Sequence, residues 1–339
     1  VLKKLLVLAL LSCVVALSGA FYVLNQINAF LDQPFNIEQP TVVTIESGSN
    51  INRVLSQFEK DGYIQGSDFS KFVRRTHPEL VNIKAGTFEL QIEQTLAQAL
   101  LHLINGEQHS FSITFVEGST FKEWRAIFNQ ADFLMHSTKE LSEEEIATSL
   151  GIEREKLEGL FLAETYHYTA GMSDLDIMRR AHKALVKTLD EAWSQKLQPL
   201  PLKNDYEALI LASIIEKETG VASERERVSS VMINRLNRKM RLQTDPTVIY
   251  GMGDSYNGNI RKRDLQTPTP YNTYTINGLP PTPIAMVGKE AIFAAVNPEK
   301  SNYLYFVATG TGGHVFSKNL KDHNKAVRDY LNQLRKNKS

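Results

Sequence analysis

The sequence predicts an α+β protein in three parts: an N-terminal transmembrane helix, a small α/β module and a larger α+β domain. Three observations carry that reading. Residues 5–24 hold no charge, residues 41–109 mix short β-type runs with amphipathic helical ones, and residues 110–335 hold long helical stripes broken by irregular polar and aromatic loops.

Lys3 and Lys4 precede the apolar run from Leu5 to Leu24, which matches the roughly 20 residues a bilayer core requires. The next charge is Asp32. Two lysines on the short side and none just beyond place the N-terminus in the cytoplasm and Tyr22 at the far interface. The expected organisation is a single-pass anchor over residues 1–24 and a polar, proline-bounded periplasmic linker over 25–40. A cleaved signal peptide is the competing reading, because Leu17 to Ala20 offers small residues late in the run; against it, the run continues to Leu24. Leu11-Ser12-Cys13 resembles a lipoprotein box only faintly, since the apolar stretch before Cys13 is short and continues after it.

Within the module, Thr41 to Ile45 reads as a strand, Ser47 to Ser49 as a turn, and Ile51, Val54, Leu55 and Phe58 as one face of a helix. A second helix is expected around Phe69 to Arg75, a strand over Ala85 to Leu90, and a helix from Thr95 to Leu103 ending at Asn105 and Gly106.

The larger domain opens with an alternating strand, Phe111 to Val116. Its strand–turn–helix pattern echoes residues 41–58 weakly, with Glu117-Gly118-Ser119 set against Glu46-Ser47-Gly48; chance is the other explanation. Glu143 to Leu150 and Glu153 to Leu157 read as polar helices. Leu157 to Tyr168 mixes large apolar residues with Glu158, Glu164, Tyr166 and His167 and does not read as core. Leu175 to Gln198 reads as an amphipathic helix with Ile177, Met178, Ala181, Leu185 and Leu189 on its buried stripe. Pro199 and Pro201 follow it.

The next helix, Asn204 to Gly220, carries the chemistry. Asn204 and Glu207 read as a reciprocal N-cap, and Gly220 as a left-handed C-terminal turn. Ile210, Leu211, Ile214 and Ile215 recur at helical spacing, and the stripe continues onto Glu218. A carboxyl against aliphatic side chains is desolvated and its pKa rises, which suits a general acid. Glu216 points elsewhere, with Ala212 and Ser213, so the two glutamates have different jobs. The plainer reading of Glu218 is a structural glutamate paired with Arg225 or Arg235.

Ser223 and Glu226 read as a capping pair for a helix whose Val228, Val231, Met232 and Leu236 face inward. Regular periodicity then stops. Residues 242–250 and 267–274 are irregular and rich in hydroxyls, amides and aromatics, and Gly278 to Pro283 follows; such loops suggest a binding cleft. Tyr303 to Val307 and His314 to Phe316 form an expected hairpin across Gly310 to Gly313, which lacks the Lys-Ser/Thr of a phosphate loop. A helix from His323 to Arg335 comes next.

Bulk properties narrow the partners. Lysine plus arginine and aspartate plus glutamate each number 38, so no basic field argues for nucleic acid. Cys13 is the lone cysteine and no zinc-ligand spacing appears; the expectation is no metal and no cofactor. Tyr, Asn, Gln, Thr and Asp suit a sugar polymer, because aromatic faces cover pyranose rings while amides and carboxylates bond hydroxyl and acetamido groups. Ordinary glycosidases use two carboxylates. Asp245 is the best second one, although an Asp before Pro is also a common turn residue. One carboxyl suffices if the sugar's own C6 hydroxyl attacks C1, with Glu218 first giving and then taking a proton. That is the chemistry of a lytic transglycosylase.

Residues 212–219, 242–250, 271–274, 278–281 and 303–307 resemble, in order, the motifs of the YceG-like (MltG) endolytic murein transglycosylases. The resemblance runs from the anchor to the last helix and includes Ile45 to Gly48 and Lys84 to Phe88, in the region that family uses as a LysM-like module. It implies Glu218 as the catalytic residue. It further implies cleavage of nascent peptidoglycan strands between N-acetylmuramic acid and N-acetylglucosamine, 1,6-anhydromuramyl ends, and work beside the peptidoglycan synthases at the inner membrane. Gln243, Asp245, Tyr271, Asn272, Tyr274 and Tyr305 are the candidate substrate-binding residues; each has a loop-packing or core alternative. His314 and His323 read as structural. One stretch departs from the family: Leu157 to Tyr166 lacks a proline and has Glu164 where Asp is usual, which puts any role of Glu164 in doubt. A hydrolytic muramidase using Asp245 and a non-catalytic wall-binding scaffold are the alternatives.

Overall fold

Helices and three two-stranded sheets make up the computed structural model, which describes residues 2–196 and 199–338, with side chains through Arg335. The chain forms two units that divide between Phe111 and Ser112, so the strand Phe111–Thr114, described with the second, begins on the last residue of the first.

The first unit begins with α1 (Leu2–Leu31). Its residues from Leu2 to Tyr22 are exposed, but its last turns bury Ile27, Phe30 and Leu31. Residues 25–31 of the linker expected over 25–40 are thus the end of α1, and residues 32–40 run irregularly to Thr41. Asn25, Gln26 and Asn28 disguise an i, i+3, i+4 stripe that continues the helix into a core. Phe35 extends this packing, 4 % exposed and edge-on to Phe58 at 5.3 Å.

After it come β1 (Thr41–Ile45), α2 (Ile51–Lys60), α3 (Val73–Thr76), β2 (Gly86–Leu90) and α4 (Leu96–Asn105). The strands pair antiparallel, from Thr41 opposite Leu90 to Ile45 opposite Gly86. Caps fix the helices: Asn50 accepts the Arg53 N–H, and Thr95 and Gln98 form a reciprocal box on α4. Gly106 ends α4 at φ 76°, a conformation that favours glycine. Ile51, Val54, Leu55, Phe58, Phe88 and Leu100 meet the end of α1 in one apolar cluster.

The second unit contains β3 (Phe111–Thr114), α5 (Phe121–Phe128), α6 (Glu143–Leu150), β4 (Thr165–Tyr168), α7 (Asp174–Ser194), α8 (Asp205–Glu218), α9 (Arg225–Asn237), α10 (Asp245–Met252), α11 (Lys262–Gln266), α12 (Lys289–Val296), β5 (Tyr305–Ala308), β6 (His314–Ser317) and α13 (Leu320–Lys338). At its centre lies α8, flanked by α7, α9, α10 and α12. Every residue from Ala208 to Ile215 is buried, so this helix is apolar all round rather than along one stripe. Each large aliphatic side chain buried there contributes roughly 1.5–3 kcal/mol.

Several expectations are corrected here. Residues 153–157 are not helical, and Leu157 to Tyr168 does belong to the core, with Leu157, Leu160, Phe161, Tyr166 and Tyr168 all buried. The pairing of β3 with β4 turns that stretch inward. Helix α9 lacks the Ser223–Glu226 box, because a 3-10 turn over Ala222–Glu224 leads directly into it. Residues 245–252 are helical, with Pro246 in the first turn, where its missing N–H costs nothing. Helix α12 went unforeseen although it packs against α8. Helix α7 ends at Ser194; Leu197 and Gln198 of the expected helix lie outside the described residues. The hairpin β5–β6 is antiparallel as expected, and α13 starts at Leu320 rather than His323.

Candidate active site

Helix α8 starts where Asn204 accepts the Glu207 N–H at 2.9 Å, while Glu207 reaches back to the Lys203 N–H at 2.8 Å rather than to Asn204 itself. It stops because Thr219 turns extended (φ −145°, ψ 127°); Gly220 does not take the expected left-handed conformation. Glu218 is thus the last helical residue, on the face continued from Ile214 and Leu211, and it opens into a cavity of about 400 Å³.

Five elements or their connections line this cavity. With Glu218 stand Arg235 from α9, Gln243 and Asp245 at the entry to α10, Tyr274 from the loop after α11, Tyr305 and Phe306 from β5, and Leu320 and His323 from α13. Glu218 is half-buried and makes no hydrogen bond or ion pair among the described residues. Burial pushes its carboxyl up to about 8; the Asp245 charge adds to the rise and Arg235 opposes it. At neutral pH it holds a proton.

Arg235 braces the cavity wall. Its Nε donates to the Leu304 carbonyl at 2.7 Å and Nη1 to the Leu242 carbonyl at 2.8 Å, and its guanidinium lies 5.0 Å from the Tyr305 ring centre. Tyr305 stacks in turn on His323, with ring centres 5.1 Å apart. Burial and the Arg235 charge lower the His323 pKa, and its buried Nδ1 has no partner among the described residues. Tyr274 donates its hydroxyl to Asp245 Oδ1 at 2.6 Å, fixing that carboxylate at the start of α10.

Gln243 is held at φ 50°. A non-glycine residue there is strained by about 1–2 kcal/mol and persists only where its surroundings force it. They do so through threonines: the Gln243 N–H reaches the Thr273 carbonyl at 3.2 Å, the Thr244 N–H reaches Thr273 Oγ1 at 3.0 Å, and Thr247 and Thr273 hydroxyls meet at 2.8 Å.

Of the six residues expected to bind substrate, Gln243, Asp245, Tyr274 and Tyr305 therefore stand with Glu218 around one cavity. Tyr271 and Asn272 stand behind it. Buried Asn272 donates to the carbonyls of Asp264, Leu265 and Thr267 and accepts the Tyr274 N–H at 2.9 Å, which sets the loop that presents Tyr274. The Tyr271 hydroxyl meets Thr282 at 2.9 Å and its ring meets Tyr250 at 4.8 Å.

Other carboxylates anchor structure. Glu216 accepts the Gly288 N–H at 3.0 Å and faces Arg225 at 3.5 Å, so it clasps the segment before α12. Glu224 holds His314 through both its N–H and Nδ1. Glu158, buried, accepts the Phe121 N–H at 3.0 Å and caps α5; burial pushes it up to about 7 against the hydrogen bonds from Phe121 and Tyr250. Glu164 and His167 are exposed. Among the described residues no group of three or more His, Cys, Asp or Glu side chains converges as a metal site.

Arg235 is foreseen only as the partner of a structural glutamate, and His323 is not foreseen as a cavity residue. For Arg235 a signal existed: it falls three residues after Met232 and seven after Val228, on the buried stripe of α9, where an arginine needs a reason. His323 had none, because β5 and α13 are distant in sequence from α8.

A desolvated acid beside a carboxylate, a buried guanidinium and aromatic faces is a site equipped for general acid chemistry on a polar, ring-containing substrate. The chain belongs to the YceG-like family, whose sequence pattern matches residues 43–329. It is 30 % identical over 321 residues to a Bacillus subtilis (strain 168) protein named endolytic murein transglycosylase, covering 88 % of each chain. A Streptococcus pneumoniae serotype 2 protein of the same name is 28 % identical; the match covers 98 % of this chain and 65 % of that one. The 2.6 Å crystal structure of a yceG-like protein from Listeria monocytogenes aligns with a TM-score of 0.52 at 31 % identity, over 85 % of this chain and 99 % of that one.

Proposed function

We propose that this chain is a membrane-anchored lytic transglycosylase of peptidoglycan. It cleaves the β-1,4 bond between N-acetylmuramic acid and N-acetylglucosamine inside nascent glycan strands and so ends their elongation. The observation that carries the reading is Glu218: a carboxyl raised to about 8 at the head of the cavity, next to Asp245.

In the first step the protonated Glu218 carboxyl gives its proton to the glycosidic oxygen, the C1–O bond breaks, and positive charge develops on the muramyl ring. Asp245 supplies a nearby negative charge to that cation. Arg235 steadies Glu218 while it is ionised. In the second step the C6 hydroxyl of the same sugar attacks C1 and Glu218 takes the hydroxyl proton, returning to its acid form. No water is consumed, and the product ends in a 1,6-anhydro ring. Tyr305 and Phe306 offer faces to a sugar ring, and Gln243 an amide to its hydroxyl or acetamido groups.

Helix α1 is long enough to cross a bilayer and holds an 18-residue window of mean hydropathy 2.4. With Lys3 and Lys4 ahead of its apolar run, this supports an anchor in the inner membrane with its N-terminus cytoplasmic and the chain after α1 outside, within reach of the peptidoglycan synthases that make the substrate.

A second reading, a hydrolytic muramidase, draws on Asp245, which lines the same cavity and could activate water. Mass spectrometry of the products from uncrosslinked glycan strands in ¹⁸O-labelled water separates the two. Internal fragments about one water lighter than hydrolysis products, free of label and missing with Glu218→Gln, are expected. Labelled fragments of hydrolytic mass would transfer the role to Asp245. Binding without any cleavage by the full chain would leave a wall-binding scaffold.

A further inference from the structure

Helix α1 continues past its apolar run into folded protein. Its apolar run ends at Leu24, and Ile27, Phe30 and Leu31 are already in the core of the first unit. At the outer end of the span, Tyr22 meets Phe69 edge-on, with ring centres 6.3 Å apart, and the 3-10 turn Ser70–Phe72 packs on α1. The segment from Phe69 to Thr76 is therefore held at the level where the helix leaves the bilayer, by rigid packing rather than by a tether.

That segment carries three cations. Lys71, Arg74 and Arg75 are all exposed, whereas Val73 between them is buried and Phe72 partly so. None of the three is in an ion pair or side-chain hydrogen bond among the described residues; Lys71 lies 5.4 Å over the Phe72 ring. Asp68 and Glu79, both exposed, are the acidic neighbours in sequence, leaving the three cations in excess. Apolar side chains face the core while the cations face out, beside the membrane helix.

We propose that Lys71, Arg74 and Arg75 form a docking surface for the phosphate headgroups of anionic phospholipids in the leaflet from which α1 emerges. The inference rests on α1 being a membrane span. Attraction of this kind fades within a Debye length, about 8 Å at physiological salt, so it needs the closeness that the Tyr22–Phe69 contact supplies. Each cation held at such a surface strengthens residence there about fivefold. The consequence is a first unit laid against the bilayer instead of swinging above it.

Hydrogen exchange of the full chain in lipid nanodiscs tests this, comparing phosphatidylcholine alone with a phosphatidylcholine–phosphatidylglycerol mixture. Residues 69–77 are expected to exchange more slowly in the anionic discs, with the difference lost in high salt and in Lys71→Gln/Arg74→Gln/Arg75→Gln. The exposed Lys60→Gln on α2 should keep it. Equal exchange in both bilayers, or a difference that survives the triple substitution, overturns the proposal. So does slowing that appears in neutral discs only when glycan strands are added, since the polymer would then be the occupant. Residues 5–24 are read in the same run: protection in both bilayers keeps the anchor, so that a failure at 69–77 belongs to the patch alone. Free exchange of 5–24 would bring down the anchor and the patch together.

Discussion

Glu218 is a carboxyl whose proton is retained in the folded chain and released in the unfolded one, and two measurable consequences follow from its pKa of about 8. Acid catalysis needs the protonated form, so kcat/KM is expected to fall as pH rises through about 8. Replacing Asp245 by Asn removes a neighbouring negative charge, lowers the Glu218 pKa and moves that alkaline limb to lower pH; an unmoved limb would show that the charge does not act on Glu218. The stability effect has the matching sign. Between about 4.5 and 8 the folded state binds a proton that the unfolded state has lost, so the stability contribution present below 4.5 disappears as pH rises to about 8. Glu218→Gln should abolish cleavage, a loss on the order of 10²–10⁴-fold or more. It should also make the protein more stable than wild type at pH 9, by on the order of 1–3 kcal/mol after discounting for partial exposure. Urea unfolding at pH 5 and pH 9 reads this directly. Gln243 gives a different kind of residue-scale test. Gln243→Gly relieves a φ of 50° and should raise stability by about 1 kcal/mol while raising KM, because the amide that faces the cavity is lost. A lower melting temperature for this variant would mean that the conformation is not strained.

At the scale of elements, α1 runs from an exposed apolar stretch into the buried core of the first unit, and where it is cut matters. A chain starting at Asn25 retains Ile27, Phe30, Leu31 and Phe35 in the first unit; a chain starting at Thr41 loses all four buried side chains. The shorter form should lose roughly 1.5–3 kcal/mol per side chain, enough to unfold that unit, as circular dichroism melts of the two forms would reveal. Helix α10 makes a second element-scale point. Its first residue, Asp245, stands in the cavity because the Thr244, Thr247 and Thr273 hydroxyls tie the entry of α10 to the loop behind it. Asn272 then aims Tyr274 at Asp245. Elements rather than single residues assemble this side of the site.

Across the whole molecule, anchorage separates a retained span from a cleaved signal. The intact mass of the membrane-bound protein should include residues 1–20 and resist alkaline carbonate extraction; a mature species starting at Phe21 would establish cleavage instead. At this scale local signals were readable where one element settles its own fate. The helix starting at Thr95, the apolar run of α1, and the strands at 41–45 and 86–90 all appear as expected. They follow from hydrogen-bond satisfaction at helix ends and from burial periodicity, which act over a few residues. Other features were hidden because their cause lay far away in the chain. Leu157 to Tyr168 looked too polar for core until β3 paired with β4, and α12 gave no stripe because it is enclosed by α7, α8 and α9.

Sequence by itself determined the kind of parts: an apolar helix, small mixed units, and a glutamate at the end of a greasy helix that a cleft could use. Periodicity and capping are short-range physics, and they place Glu218 at the last turn of α8. Only the tertiary structure decided its company. Arg235 and Asp245, which act on the Glu218 proton in opposite directions, and Tyr305 with His323, which complete the wall, come from α9, the entry of α10, β5 and α13. Electrostatic and packing terms between such groups depend on distances through space, and those are set by how the helices pack around α8.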